Sequence, residues 1–123
     1  MRVVAQAIAA AERPPTVVAQ ASSLAIYGDT QGPCDEQSPP ADDFPAQVCR
    51  QWEAVFWDTL PPGVRGSVLR IGFVLGRGGA LEPLRRITRW GLGGTTGSGG
   101  QWISWLHVED LNRMVLACID DPA

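Results

Sequence analysis

Lysine is missing from this chain altogether; all ten basic residues are arginine. Chemistry that requires a lysine is therefore excluded, because arginine stays charged and cannot trade a proton in its place. Histidine is scarce as well. The single one, His107, leaves a histidine-based metal site with nothing to build on. The three cysteines, Cys34, Cys49 and Cys118, are odd in number, and no two have metal-finger or redox spacing. A reduced, cytoplasmic setting is the expectation. No apolar run is long enough to cross a bilayer, so no membrane partner is expected. The apolar N-terminus could pass for a secretion signal, but Gln6 interrupts it and Glu12 with Arg13 closes it, so it reads as a helix. Positive charge is in deficit too: ten basic against 13 acidic residues, net −3, isoelectric point about 5.0. Such a chain repels a phosphate backbone, and nucleic acid is not an expected partner.

What is present is 123 residues, 45% of them hydrophobic, enough for a single domain over 1–123 with one core. It is too little for a whole dinucleotide-binding enzyme with a separate substrate domain. Residues 2–12 are rich in alanine and read as a helix, stopped by Pro14 and Pro15. Residues 16–21 form a short apolar strand, and 22–43 a loop with several glycines and prolines. A second helix is predicted over 44–57, capped by Asp42 or Asp43, with Pro45 in its first turn. Val48, Trp52, Val55 and Phe56 have the spacing of its buried stripe. Residues 67–75 are almost continuously apolar, as in a parallel strand covered on both faces. A short helix over 81–90 presents Arg85, Arg86 and Arg89 to solvent. After the glycine-rich stretch 91–100 come a strand at 101–106 and a helix over 107–120 with Leu111, Val115 and Cys118 on one side. At least one of Trp102 and Trp105 should be buried, and Trp52 and Trp57 read as core or interface. Alternating helices and strands predict a layered α/β fold.

Three segments carry a resemblance. Ser22-Ser23-Leu24-Ala25-Ile26-Tyr27-Gly28-Asp29 follows a strand; Leu69-Arg70-Ile71-Gly72-Phe73-Val74-Leu75-Gly76-Arg77-Gly78-Gly79 ends another; and Gly97-Ser98-Gly99-Gly100-Gln101-Trp102-Ile103-Ser104-Trp105-Leu106-His107-Val108-Glu109-Asp110-Leu111 leads into the last helix. In order and spacing these resemble the extended short-chain dehydrogenases, the NAD-dependent epimerase/dehydratase family, and most nearly its little-characterised epimerase-like branch. The resemblance spans nearly the whole chain and corresponds to the C-terminal half of such a domain. It implies a partial Rossmann-like, three-layer fold with a parallel sheet whose N-terminal strands are not in this sequence. The three segments should then meet at the carboxyl rim of one sheet.

The resemblance also implies NADP or NAD as cofactor, not held tightly by this fragment alone. Ser22, Ser23, Ile71, Gly72, Phe73 and Val74 would lie on the cofactor side. Tyr27 and Ile103 would lie in the cleft for a small-molecule substrate. Ser23 is the candidate catalytic residue; the alternative is a strand-end hydroxyl bonded to backbone. The family's proton-moving Tyr-x-x-x-Lys pair is absent, for Pro45 and Cys49 stand at those positions. Ile103 stands where sugar-nucleotide epimerases carry a phosphate-gripping arginine, and Phe73 where they carry asparagine. A smaller or more apolar ligand is expected. The family's phosphate-binding glycine turn is not in the sequence. Gly76, Gly78 and Gly79 sit in a strand-to-helix context, but Leu81 replaces the third glycine, so a turn fixing the helix start is the better reading. His107 is expected to be structural. A hydrolase triad of Ser23, His107 and Asp110 is set aside because no Gly-x-Ser-x-Gly elbow exists. The functions left open are an epimerase or dehydratase-like oxidoreductase within a longer chain, a non-catalytic dinucleotide-binding scaffold, and a truncated product without activity. An uncovered sheet edge would favour self-association.

Overall fold

The computed structural model describes residues 2–79, 81–95 and 97–121. They divide into two compact units, Met1–Ile71 with Ala117–Ala123, and Gly72–Leu116.

The first unit opens with α1 (Arg2–Ala9), which stops short of the predicted residue 12. β1 (Val17–Ser23) runs two residues beyond expectation, so Ser22 and Ser23 belong to the strand itself. A 3-10 turn at Leu24–Tyr27 follows, inside what the sequence predicted to be plain loop. Gly28 closes it at φ +63°, and a Cβ there would lie 2.6 Å from the Cβ of Ala41. Only glycine satisfies both demands. Ala41 returns to this turn, its N–H bonding to the Ile26 carbonyl at 2.9 Å.

α2 (Phe44–Thr59) is started by Asp43, whose carboxylate accepts from the Ala46 N–H at 2.9 Å. Pro45 sits in the first turn, where its missing N–H costs nothing. The buried face is Ala46, Cys49, Glu53 and Phe56. This corrects the predicted stripe: Phe56 is buried, Val48 and Val55 are half-buried, and Trp52 is exposed. The helix is rotated because Glu53, not an apolar residue, faces the sheet to meet Arg70. Trp57, read as core or interface, is half-exposed and leans its ring edge-on against Phe56. β2 (Arg65–Ile71) pairs with β1 in parallel register, Val17 opposite Arg65 and Ser23 opposite Ile71. Gly66 allows the close approach of α2: a Cβ there would lie 2.7 Å from Trp57 and 2.8 Å from Leu60.

The second unit holds β3 (Phe73–Leu75), α3 (Leu81–Arg89) and β4 (Trp105–His107). β3 and β4 are parallel, with Phe73 opposite Trp105 and Leu75 opposite His107. α4 (Val108–Asp120) follows directly. Its half-buried side is Val108, Leu111, Val115 and Cys118, which matches the predicted stripe.

Four expectations are corrected here. The apolar run 67–75 is not one strand covered on both faces: it breaks at Gly72 into β2 and β3, and β2 is half-buried along its length. The sheet is accordingly two two-stranded parallel sheets, β1 with β2 and β3 with β4. The strand predicted at 101–106 is shortened and shifted to Trp105–His107, because β3 offers only three residues to pair with. Residues 101–104 have no regular structure beyond an N–H from Phe73 to the Ser104 carbonyl at 2.8 Å. Neither tryptophan of this segment is buried; Trp102 is 100% exposed and Trp105 63%.

Candidate functional site

The parallel register sets the first two sequence motifs side by side. Ser22 lies opposite Arg70, and Ser23 opposite Ile71, at the carboxyl ends of β1 and β2. In open α/β sheets this is the end where ligands bind. The second and third motifs are likewise adjacent, through β3 and β4.

Successive strand residues face opposite ways, so Ser22 and Ser23 have different fates. Ser22 is buried under α2, and its hydroxyl donates to Glu53 Oε1 at 2.6 Å. Glu53 is itself only 8% exposed and would be costly there without a partner. Arg70 supplies one in a two-pronged grip, Nε to Oε1 at 3.0 Å and Nη2 to Oε2 at 2.8 Å. The remaining prong, Nη1, donates to the Tyr27 hydroxyl at 2.7 Å and reaches the Glu36 carbonyl at 3.4 Å. The guanidinium also lies 5.3 Å from the Tyr27 ring centre. The Arg70 hydrogen bonds hold the Glu53 carboxyl below its ordinary range, against the opposing effect of burial; the Ser22 hydroxyl helps. The same contacts push the Arg70 guanidinium still further above its ordinary value, Glu53 first and Tyr27 after it.

Ser23 is half-buried, and its oxygen accepts from the Ala25 N–H at 3.1 Å, capping the 3-10 turn. Among the described residues its hydroxyl proton has no acceptor. The strand-end backbone bond that the sequence left open is therefore real, and it leaves the donor side of Ser23 unused.

Tyr27 is buried, with Ile26, Cys49 and Leu24 around it. Pro45 is exposed in the first turn of α2, and Cys49 is buried, so neither is placed as an acid or its charged helper. Ile71 belongs to the first unit, and Gly72, Phe73 and Val74 to the second. Ile103 is 66% exposed in the irregular stretch before β4. His107 precedes α4, and its Nδ1 accepts from the Glu109 N–H at 3.3 Å, a capping role. Gly78 and Gly79 take positive φ before α3, as a turn into a helix requires; Ala80, within that segment, lies outside the described residues. Arg85 pairs with Glu82 on an α3 that buries nothing. No group of three metal-ligating side chains occurs among the described residues, and no described helix is long and apolar enough to cross a membrane. The cysteines are free.

Sequence reading missed the pairing of Glu53 with Arg70. The signal was there: Arg70 is the only charged residue within the apolar run 67–75, and a charge in a strand packed under a helix needs a partner on that helix. Glu53 is the acidic residue on the buried face of α2.

Parallel strands alternating with helices define a Rossmann-like α/β protein. In sequence and fold the chain is similar to one segment of proteins named as epimerase family proteins. It is 40% identical to the chloroplastic epimerase family protein SDR39U1 homolog of Arabidopsis thaliana, over 92% of this chain and 33% of that protein. The crystal structure of human epimerase family protein SDR39U1 (isoform 2) with NADPH superposes with a TM-score of 0.87 at 35% identity, covering 98% of this chain and 41% of the human one. A nucleoside-diphosphate sugar epimerase from Corynebacterium glutamicum gives 0.81 at 32% identity, covering 98% and 26%. This chain thus spans about a third of the Arabidopsis relative's length. No family model matches it.

Proposed function

We propose that the chain is part of an NAD(P)-binding, epimerase/dehydratase-like protein, and that the carboxyl end of β1 faces the nicotinamide. The observation that carries this is the free donor side of Ser23, set at a strand end beside Ile71. The NADPH bound to the human relative supports the choice of cofactor. Ser23 contributes its hydroxyl. Ser22 contributes backbone alone, its side chain being committed to Glu53. Ile71, opposite Ser23, contributes the end of β2; Gly72, Phe73 and Val74 are cofactor-side candidates of the second unit. A bound nicotinamide supplies hydride exchange, and its reacting partner still needs a proton donor. Ser23 can orient a substrate oxygen, but with Cys49 buried and Pro45 in the tyrosine position no residue pair supplies the family's proton transfer. That observation favours a second reading, a dinucleotide-binding protein without turnover.

Of the two substrate-side candidates, Tyr27 is buried in the first unit with its hydroxyl held by Arg70, and Ile103 is exposed in the second. An exposed isoleucine recognises apolar surface rather than pyrophosphate, so a small or apolar substrate fits better than a sugar nucleotide. Free cysteines agree with a reducing compartment such as the cytoplasm. Among the described residues β1 pairs with β2 alone, and its seven residues include no charge and no proline to guard the other edge. For the isolated chain, self-association along that edge is the expected outcome.

The test is titration with NADPH of the longer protein of which this chain is part, read by tryptophan emission. Saturable quenching is expected, weakened by Ser23→Ala. No saturation up to roughly millimolar NADPH, a binding free energy of only about 4 kcal/mol, sinks the reading. Sustained NADPH oxidation with any of a panel of small carbonyl compounds would decide for an enzyme over a scaffold.

A further inference from the structure

We propose that the Arg70–Glu53 ion pair is a positioning device for the Ser23 hydroxyl; this rests on the reading of Ser23 as the ligand-facing group. The pair touches the chain on both sides of Ser23. On the N-terminal side, Glu53 Oε1 takes the Ser22 hydroxyl at 2.6 Å. On the C-terminal side, Arg70 Nη1 holds the hydroxyl of Tyr27, last residue of the 3-10 turn, at 2.7 Å. Between these anchors lies one turn, with Ser23 as its cap through Ala25 N–H.

The two anchors are not independent. Glu53 fixes the guanidinium plane by a bidentate grip, and a planar fork so fixed points its last donor in one direction. A lysine could neutralise Glu53 but could not also hold Tyr27 from a defined angle. The device therefore explains why an ion pair sits where apolar residues would pack as well: a buried pair adds little net stability but demands one geometry. Gly28 closes the turn, its N–H bonding the Ala25 carbonyl at 3.2 Å, so the turn has its own local bonds as reporters.

The test separates local from global effects. Hydrogen exchange is followed by NMR at the amides of Ala25 and Gly28, with amides in the middle of α2 as reference. Tyr27→Phe is expected to speed exchange at Ala25 by about tenfold, as loss of one anchoring hydrogen bond implies, and to leave α2 within about twofold. Arg70→Lys, which keeps the charge, should give the same local change and fail to rescue. Glu53→Gln, a second route to the same end, should loosen the turn too. Unchanged exchange at Ala25 in Tyr27→Phe, or an equal rise at every amide, overturns the proposal. NADPH titration of the same variants tells the two ideas apart. A loosened turn with NADPH binding untouched by Ser23→Ala leaves the clamp standing and removes the ligand-facing role.

Discussion

The two units differ in where their side chains go. Every buried side chain among the described residues lies in the unit built on β1, α2 and β2: Ala5, Ser22, Ile26, Tyr27, Ala46, Cys49, Glu53 and Phe56. Among its described residues the unit of residues 72–116 has none, and it exposes Trp90, Leu92, Trp102, Ile103 and Trp105. The first is held by tertiary packing around a charged clamp. The second is held by a three-residue ladder, helix hydrogen bonds and the seating of Gly76 against Val108, where a Cβ would come within 2.9 Å of the valine. Stability is therefore unequal along the chain, and cooperative unfolding should report the first unit.

The sharpest way to break the contrast is Phe56→Ala. Phe56 is 0% exposed and is the largest fully buried side chain among the described residues. Its loss should cost about 3–5 kcal/mol in urea unfolding, the usual range for a buried phenylalanine. A loss under about 1 kcal/mol would mean that the first unit is no better packed than the second.

Next in size is the clamp. Glu53→Ala strands the Arg70 guanidinium, whose side chain is 25% exposed, and should cost about 3 kcal/mol. The pH dependence has a fixed sign. The folded-state carboxyl titrates below its ordinary value of 4.5, so its stabilisation is complete above that value and is lost as pH falls further, through the folded-state value. Urea midpoints should be flat down to about pH 5 and then fall, and Glu53→Gln should flatten this component of the acid limb. An acid limb identical in Glu53→Gln would assign it to other carboxylates.

Much of this was legible in advance, for reasons that can be named. α4 came out with its predicted face because Leu111, Val115 and Cys118 repeat at helical spacing and nothing polar competes. The Asp43 cap and Pro45 are local signals that depend on no distant contact. α2 was turned wrongly because periodicity ranks tryptophan above glutamate for burial, while the tertiary partner of that glutamate lies on another strand. The tryptophans at 102 and 105 were misjudged because hydrophobicity says that a side chain wants cover, not that these residues provide it. At the candidate site, motif spacing brought Ser23 to the strand end, but only coordinates distinguish its free donor from the committed hydroxyl of Ser22.

A smaller effect comes from Gly66→Ala. The added carbon would press on Trp57, Leu60 and Phe56 at 2.7, 2.8 and 3.0 Å, all side-chain atoms. Trp57 is half-exposed and can move, so the cost should sit near the low end of overpacking, about 1 kcal/mol. The double variant with Trp57→Ala should recover part of it; strictly additive losses would show that the crowding comes from elsewhere.

The smallest expected effect probes the other side of the contrast. Trp102 is wholly exposed in the second unit, so Trp102→Ser removes no packing and should change unfolding by no more than about 0.5 kcal/mol. It does remove the most exposed of the large apolar side chains of this unit, which include Ile103 and Trp105. Surface of that kind drives association more than folding. Sedimentation velocity over a concentration series should therefore show weaker self-association in the variant, with the urea midpoint unmoved. The reverse pattern, lost stability with association unchanged, would mean that Trp102 is covered in solution and that the second unit has a core after all.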